Sequence, residues 1–517
     1  MQANEDRPAD AAAERPEGPL LQANRMSERQ EIVSLLGLFL LLRLMMPFWF
    51  TPLYSEFSDF LFHFMRLSEP SVVGENVPPA LPFIDYWLEY PPVFPWIALG
   101  VFKLQTLFWG FGPHAHMLFN ALMSLLMGLA DGVNLLFVYL LAKMIRGHRF
   151  AMSASWAYGL LFFPLVLTAS YFDSLVLMLI LISLYLMIKN KPLACGLILG
   201  LGFMTKMIPA ALLVTGAKYV GKKIHDTISP EEPPERPAPS LDLRAKILSY
   251  FQGGHIPRDG NKVLAFFFSS FLVVAVIAAT FAVLNFDNFA APFRLLTKRP
   301  PWETLQAVVA GQTGFGHIGP TEEYLQENPG YFQDIHSEHV AVIRRKFTDL
   351  PPARQAQLAS RFSTNFDYMP DVRSPLQLPV SVAVAFGLIT ALVWFPSRAD
   401  ALNITGITAI TLCLMFIAFR GWSPQFIIYI LPFVLILLPA GIHIVLAILL
   451  SAVNFLELPV WLALHLQQYP SADTILHIVV IMRLLVLGLI IGAIAWTIAN
   501  ANIHAKALEE HADPMSG

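Results

Sequence analysis

Residues 193–214 read LACGLILGLGFMTKMIPAALLV, and the way this stretch crosses an apolar phase decides the fold. It is 22 residues long, and about 20 apolar residues cross a bilayer core. As one span it places Lys206 deep in the membrane and leaves Lys218, Lys222 and Lys223 on the outer side. As two half-spans meeting at Met204-Thr205-Lys206, it puts the turn outside and those lysines inside, as the positive-inside rule favours. Irregular backbone at membrane depth is tolerated only where it lines a protein cavity. The break at Lys206 therefore predicts a cavity beside it.

The composition of the whole chain agrees. Of 517 residues, 56% are hydrophobic and 14% charged, with a mean hydropathy of +0.57; a soluble chain carries about 25% charge. The expected class is an all-α polytopic membrane protein. A net charge of −3 leaves no basic excess for nucleic acid. Cys195 and Cys413 both sit inside apolar runs, which is neither a disulfide framework nor metal-ligand spacing. No cofactor is expected, and a divalent metal finds no support in the spacing of His, Asp and Glu.

Outward from residues 193–214, hydropathy and loop charge divide the chain. Residues 1–30 are expected to be a disordered cytoplasmic tail. Residues 31–216 form an N-terminal membrane module with a first outer loop at 51–92. Within it, Arg43 lies inside the first span and must pair or snorkel. Asn120, Asp131 and Asn134 share one long span and should face neighbouring helices. Residues 93–111, interrupted by Pro95 and Lys103, read as partly interfacial. Residues 217–261 are a cytoplasmic linker, 262–284 a span, and 285–376 a long extracytoplasmic loop. Residues 377–500 hold the C-terminal membrane helices and 501–517 a cytoplasmic tail. The total is about 12 spans, with both ends cytoplasmic and no internal repeat.

With this topology the isolated ionisable residues sort to one side. Asp59, Glu89, Asp173, Lys206 and Arg420 all fall at outer ends. A transporter places its ionisable site near the midplane, whereas a one-sided cluster suits chemistry at the outer membrane surface. Transfer of a sugar from a lipid phosphate needs a base for the acceptor hydroxyl and positive charge for the leaving phosphate. Asp59 is the candidate base, and Lys206 and Arg420 are the candidate phosphate partners. Asp173, Glu89, Tyr90 and Gln425 are candidates to orient the substrate, with His63 one helical turn beyond Asp59. Plainer roles stand beside these: Asp59 and Asp173 as helix caps, Lys206 as a snorkelling lysine, and Glu89 as a corner before Pro91-Pro92. His336 and His339 give a His-x-x-His spacing, which is weak evidence for metal.

The order of these pieces resembles a family. Ser58-Asp59 follows the first span, then come Asp85-Tyr86 and Glu89-Tyr90-Pro91-Pro92, then Tyr171-Phe172-Asp173-Ser174. Gly196, Gly200, Gly202, Thr205-Lys206 and Pro209 follow. This is similar to the integral-membrane GT-C glycosyltransferases, most of all the bacterial polyprenyl-phosphate-mannose-dependent mannosyltransferases. The turn Ser423-Pro424-Gln425-Phe426 resembles a late motif of the GPI-anchor mannosyltransferases, which are more distant. The likeness covers about residues 32–214 and the remainder by topology only. It implies a GT-C-like helix bundle and inverting transfer of a hexose, in the first instance mannose, from a polyprenyl-phosphate sugar. The acceptor would be a lipid or glycan on the extracytoplasmic side of a bacterial plasma membrane. The family's catalytic acid corresponds to Asp59 and its lysine to Lys206. Several relatives carry an Asp-x-Asp pair in the first loop, whereas Glu56 and Asp59 here are separated by two residues. A lipid or solute transporter, or a non-catalytic subunit of a glycosyltransferase complex, is the alternative.

Overall fold

The computed structural model describes residues 26–49, 57, 81–109, 115–161, 166–167, 170–225, 259–314, 316, 322–327, 369–394 and 398–512. These residues are helical, with three isolated β-bridges and no strand among them. In chain order the α-helices are α1 (Glu28–Trp49), α2 (Val93–Trp109), α3 (Ala115–Arg146), α4 (His148–Leu160), α5 (Asp173–Ile188), α6 (Pro192–Thr205), α7 (Ala211–Tyr219) and α8 (Gly260–Lys298). Then follow α9 (Leu305–Val309), α10 (Glu322–Glu327), α11 (Gln377–Trp394), α12 (Ala401–Ala418), α13 (Leu431–Leu437), α14 (Ile442–Phe455), α15 (Leu462–Leu466) and α16 (Ala472–Ala512).

Five helices among the described residues are long and apolar enough to cross a membrane: Met117–Arg146, Gly260–Lys298, Ala401–Ala418, Ile442–Leu466 and Ala472–Ala505. Shorter apolar helices of 10–17 residues lie among them. Residues 93–109, expected to be partly interfacial, form one continuous helix. Pro95 falls in its first turn, where a missing N–H costs nothing, and Lys103 lies exposed on its flank. At the other extreme, α8 runs on past the expected end of its span. Its backbone leaves helical geometry at Asn285 (φ −160°, ψ 97°) and then resumes to Lys298. Asn285 and Asn288 both donate to the Ile84 carbonyl, at 2.9 and 3.1 Å. The kink is thus tied to the segment that precedes α2.

Charged residues inside the bundle are paired. Arg43 of α1 donates to Asp131 of α3 at 2.8 Å, with both side chains fully buried. The Tyr158 hydroxyl of α4 donates to the same carboxylate. Asn134, one turn on, donates to the Ser174 carbonyl at 2.9 Å. Of the two expectations for Arg43, pairing holds. An unpaired charge at this depth is costly, and Asp131 supplies a partner between three helices.

The glycines of α6 answer to packing. A Cβ at Gly196 would lie 2.0 Å from Ser269 Oγ and 2.4 Å from the Phe266 carbonyl oxygen. One at Gly200 would lie 2.6 Å from the Ser270 carbonyl oxygen. Small residues four apart let α6 and α8 approach backbone to backbone, which is how helices associate in an apolar phase. α6 then stops at Thr205, Lys206 is extended (φ −158°, ψ 140°), and a 3-10 turn over Ile208–Ala210 leads into α7. Residues 193–214 therefore form two short helices meeting at Lys206. The 14 residues of α6 rise about 21 Å at 1.5 Å each. That is less than a bilayer core of about 30 Å.

Candidate functional site

The break at Lys206 opens onto a cavity of about 760 Å³, within the 300–1,000 Å³ usual for small-molecule sites. Three stretches far apart in sequence make its polar wall: Glu89-Tyr90-Pro91, Lys206-Met207-Ile208 and the Arg420–Phe426 turn. The end of α8 adds Phe293 and Leu296, the segment after it adds Arg299, and α15 adds Leu462 and Leu466. The lining thus combines the cations Lys206, Arg299 and Arg420 and the acids Glu89, Glu303 and Glu457 with apolar side chains of α8 and α15.

Lys206 is buried, and its ammonium donates to Asp173 Oδ1 at 2.8 Å. The same oxygen accepts from the Tyr429 hydroxyl. Asp173 opens α5 and turns its side chain to these partners. Three aromatic rings surround the ammonium: Phe172 at 4.7 Å, Tyr90 at 5.3 Å and Phe426 at 5.5 Å. Phe172 in turn stacks on Phe94 with centroids 3.8 Å apart. A desolvated cation over ring faces gains about 0.5–2 kcal/mol, so rings and carboxylate together offset the cost of burying the lysine.

Arg420 follows the end of α12. Its guanidinium donates to the Thr297 carbonyl at 2.9 Å and the Val372 carbonyl at 3.3 Å. Burial pushes it below the ordinary arginine value, with Asp371 opposing; it stays charged at any physiological pH. Glu89 forms an ion pair with Arg299, and Arg299 lies over the Trp302 ring at 4.0 Å. Gly421 allows this layer to close. Its position would put a Cβ 2.1 Å from the Trp302 ring, and the strand-like bridge between Trp302 and Gly421 locks the two segments.

The structure thus gathers Glu89, Tyr90, Lys206, Arg420 and Gln425 around one cavity, with Asp173 one layer behind Lys206. Asp59 and His63 lie outside the described residues, as do His336 and His339. Four charged residues at this site have no place among the sequence candidates. Arg299 and Glu303 come from the segment after α8, which matches no motif. Glu457 and Arg483 come from α14–α16, and Arg483 donates to both Glu457 carboxylate oxygens at 2.6 Å. A lone acid and a lone cation within apolar runs 26 residues apart were the available signal. No group of three or more metal-ligating side chains exists among the described residues.

The fold and site define an all-α chain of membrane-protein type with a cavity lined by charged and apolar residues at a broken helix. Neither a family model nor a curated protein matches it. Among solved structures it is similar to the apo crystal structure of the Archaeoglobus fulgidus oligosaccharyltransferase. The likeness covers 92% of this chain and 56% of that chain, at 12% identity and a TM-score of 0.32. The chain spans a little over half the length of that protein.

Proposed function

We propose that the cavity is the active site of an inverting glycosyltransferase. It transfers a hexose, in the first instance mannose, from a polyprenyl-phosphate donor to a lipid or glycan hydroxyl on the extracytoplasmic side of the membrane. The observation that carries this reading is the polarity of the cavity. Lys206, Arg299 and Arg420 line it together with the apolar side chains of Phe293, Leu296, Leu462 and Leu466. A phosphate with an isoprenoid tail has that distribution of polarity. In the reaction a base takes the acceptor hydroxyl proton. The freed oxygen forms a bond to the anomeric carbon as the bond from that carbon to the phosphate oxygen breaks, inverting the centre. The electron pair goes to the phosphate, whose growing charge Lys206 and Arg420 stabilise. Asp59 is assigned as the base on the family resemblance, and Glu89, Tyr90, Asp173, Gln425 and His63 as orienting groups. No metal has a role in this scheme.

The test is transfer by the purified full chain in lipid nanodiscs. Labelled polyprenyl-phosphate mannose, glucose and arabinose are offered with a membrane-lipid and glycan acceptor pool. Transfer by the wild type, lost in Asp59→Asn and in Arg420→Gln, supports the scheme. Transfer that survives Asp59→Asn removes Asp59 as the base. No transfer from folded wild-type protein on any donor rejects the proposal.

A further inference from the structure

A second polar feature of the cavity wall is a pair of buried acids. Glu303 is 2% exposed and lines the cavity. Its backbone has φ of 50°, a left-handed conformation that a glutamate adopts only at a cost of order 1–3 kcal/mol. The surroundings hold it there. Trp302 N–H donates to the Arg420 carbonyl and Trp422 N–H to the Trp302 carbonyl, each at 3.1 Å. The Thr304 hydroxyl donates to the Arg420 carbonyl at 3.0 Å, and Arg483 donates to the carbonyl of Glu303 itself. A strained residue fixed from both sides in a cavity wall is a reason to look for its function.

Glu457, fully buried, also lines the cavity. Its carboxylate accepts from Arg483 on both oxygens and from Trp422 Nε1 at 3.1 Å. Arg483 therefore ties the Glu457 carboxylate to the main chain of Glu303 in a buried wall, while Arg299 is paired with Glu89. Two carboxylates that close cannot both ionise in low dielectric. Burial first, and Glu457 next, hold the Glu303 carboxyl well above the usual carboxylate range, with Arg483 and Arg299 opposing. Even so, Glu303 Oε2 has no hydrogen-bond partner among the described residues. A buried polar atom left unpaired costs about 1–3 kcal/mol, and in a cavity wall a ligand atom can supply the missing partner.

We propose that Glu303, backed by Glu457 and Arg483, is a hydroxyl-recognition subsite that takes the uncharged sugar of the ligand and not its phosphate. The chemistry favours this occupant. A phosphate would meet two carboxyl groups here, whereas a neutral acid both donates to and accepts from a hydroxyl. Trp302 and Trp461 also line the cavity. The proposal rests on the glycosyl-donor reading above and extends it to how the sugar is held.

The test uses the full chain in nanodiscs and two probes, farnesyl phosphate and farnesyl-phosphate mannose. Binding is followed by tryptophan fluorescence. The wild type is expected to prefer the mannosyl lipid. In Glu303→Ala that preference falls about tenfold, as loss of one hydrogen bond implies, and affinity for farnesyl phosphate is unchanged. Glu303→Gln, a neutral isostere, keeps the preference within about threefold. Infrared difference spectra of the wild type provide a readout independent of whether the alanine variant folds. The mannosyl lipid, and not farnesyl phosphate, shifts a protonated-carboxyl band that Glu303→Gln lacks. A preference retained by Glu303→Ala, or lost in Glu303→Gln, or a carboxyl band that does not move, overturns the subsite and leaves the glycosyl reading standing. A wild type that does not distinguish the two lipids overturns both.

Discussion

Removing the ammonium of Lys206 tests the centre of the site most directly. Lys206→Met keeps the stem volume and leaves Asp173 buried without its cation. Both side chains are largely withdrawn from water, at 9% and 1% exposure, so the pair behaves as a buried ion pair. Breaking such a pair from one side costs about 3–5 kcal/mol. Asp173→Asn is expected to cost less, about 1–3 kcal/mol. The amide still accepts from Tyr429, and the lysine still lies between three rings that retain up to about 2 kcal/mol. In the double variant both charges are gone, so it should be no less stable than Lys206→Met alone, a coupling of about 2 kcal/mol or more. The chain carries its own probe for this cycle. Cys195 and Cys413 are both free and buried, so a thiol-reactive fluorophore reports thermal unfolding in detergent without added labels. Single-variant losses that add to within about 0.5 kcal/mol in the double variant would show that the two charges are not coupled. The packing account of Lys206 would then be wrong. If Lys206 also meets the donor phosphate, farnesyl phosphate should raise the wild-type unfolding temperature and fail to raise that of Lys206→Met.

Other outcomes follow from the same physics. Gly200→Val should cost about 1–3 kcal/mol or more by overpacking α6 against α8, read as a lower yield of folded protein and a lower unfolding midpoint; an unchanged midpoint would mean the two helices do not meet there. Asp131→Ala should cost about 3–5 kcal/mol by leaving Arg43 unpaired, and Arg43→Met combined with it should recover part of the loss in the same assay. The pH dependence of stability should carry the mark of Glu303, which is faced by Glu457, Arg483 and Arg299. Its folded value is raised, so its contribution is present below the unfolded value of about 4.3 and is lost as pH rises towards the folded one. The wild-type midpoint should therefore fall as pH rises above about 4.3, and the Glu303→Gln profile should be flatter; parallel profiles would refute this. Gly421→Leu should abolish transfer more than it lowers the midpoint, because the added side chain meets the Trp302 ring in the cavity wall.

Much of this was legible in one dimension. Apolar runs of span length declare helices, since a backbone in an apolar phase must satisfy its own hydrogen bonds. The lysines after Val214 and the position of Lys206 divide residues 193–214 into two halves, because charge avoids the apolar phase wherever the chain lies. Arg43 and Asp131 announced themselves as needing partners for the same reason. Pairing is different. That Arg43 meets Asp131, Lys206 meets Asp173 and Arg299 meets Glu89 depends on which helices pack together. Packing between helices in an apolar phase is set by shape, as with Gly196 and Gly200 against α8, and shape has no one-dimensional signature. The acid pair of Glu303 and Glu457 comes from a segment without a motif and from the end of an apolar helix. Only the fold brings both into one cavity wall, with Arg483 bonded to the Glu457 carboxylate and to the Glu303 carbonyl.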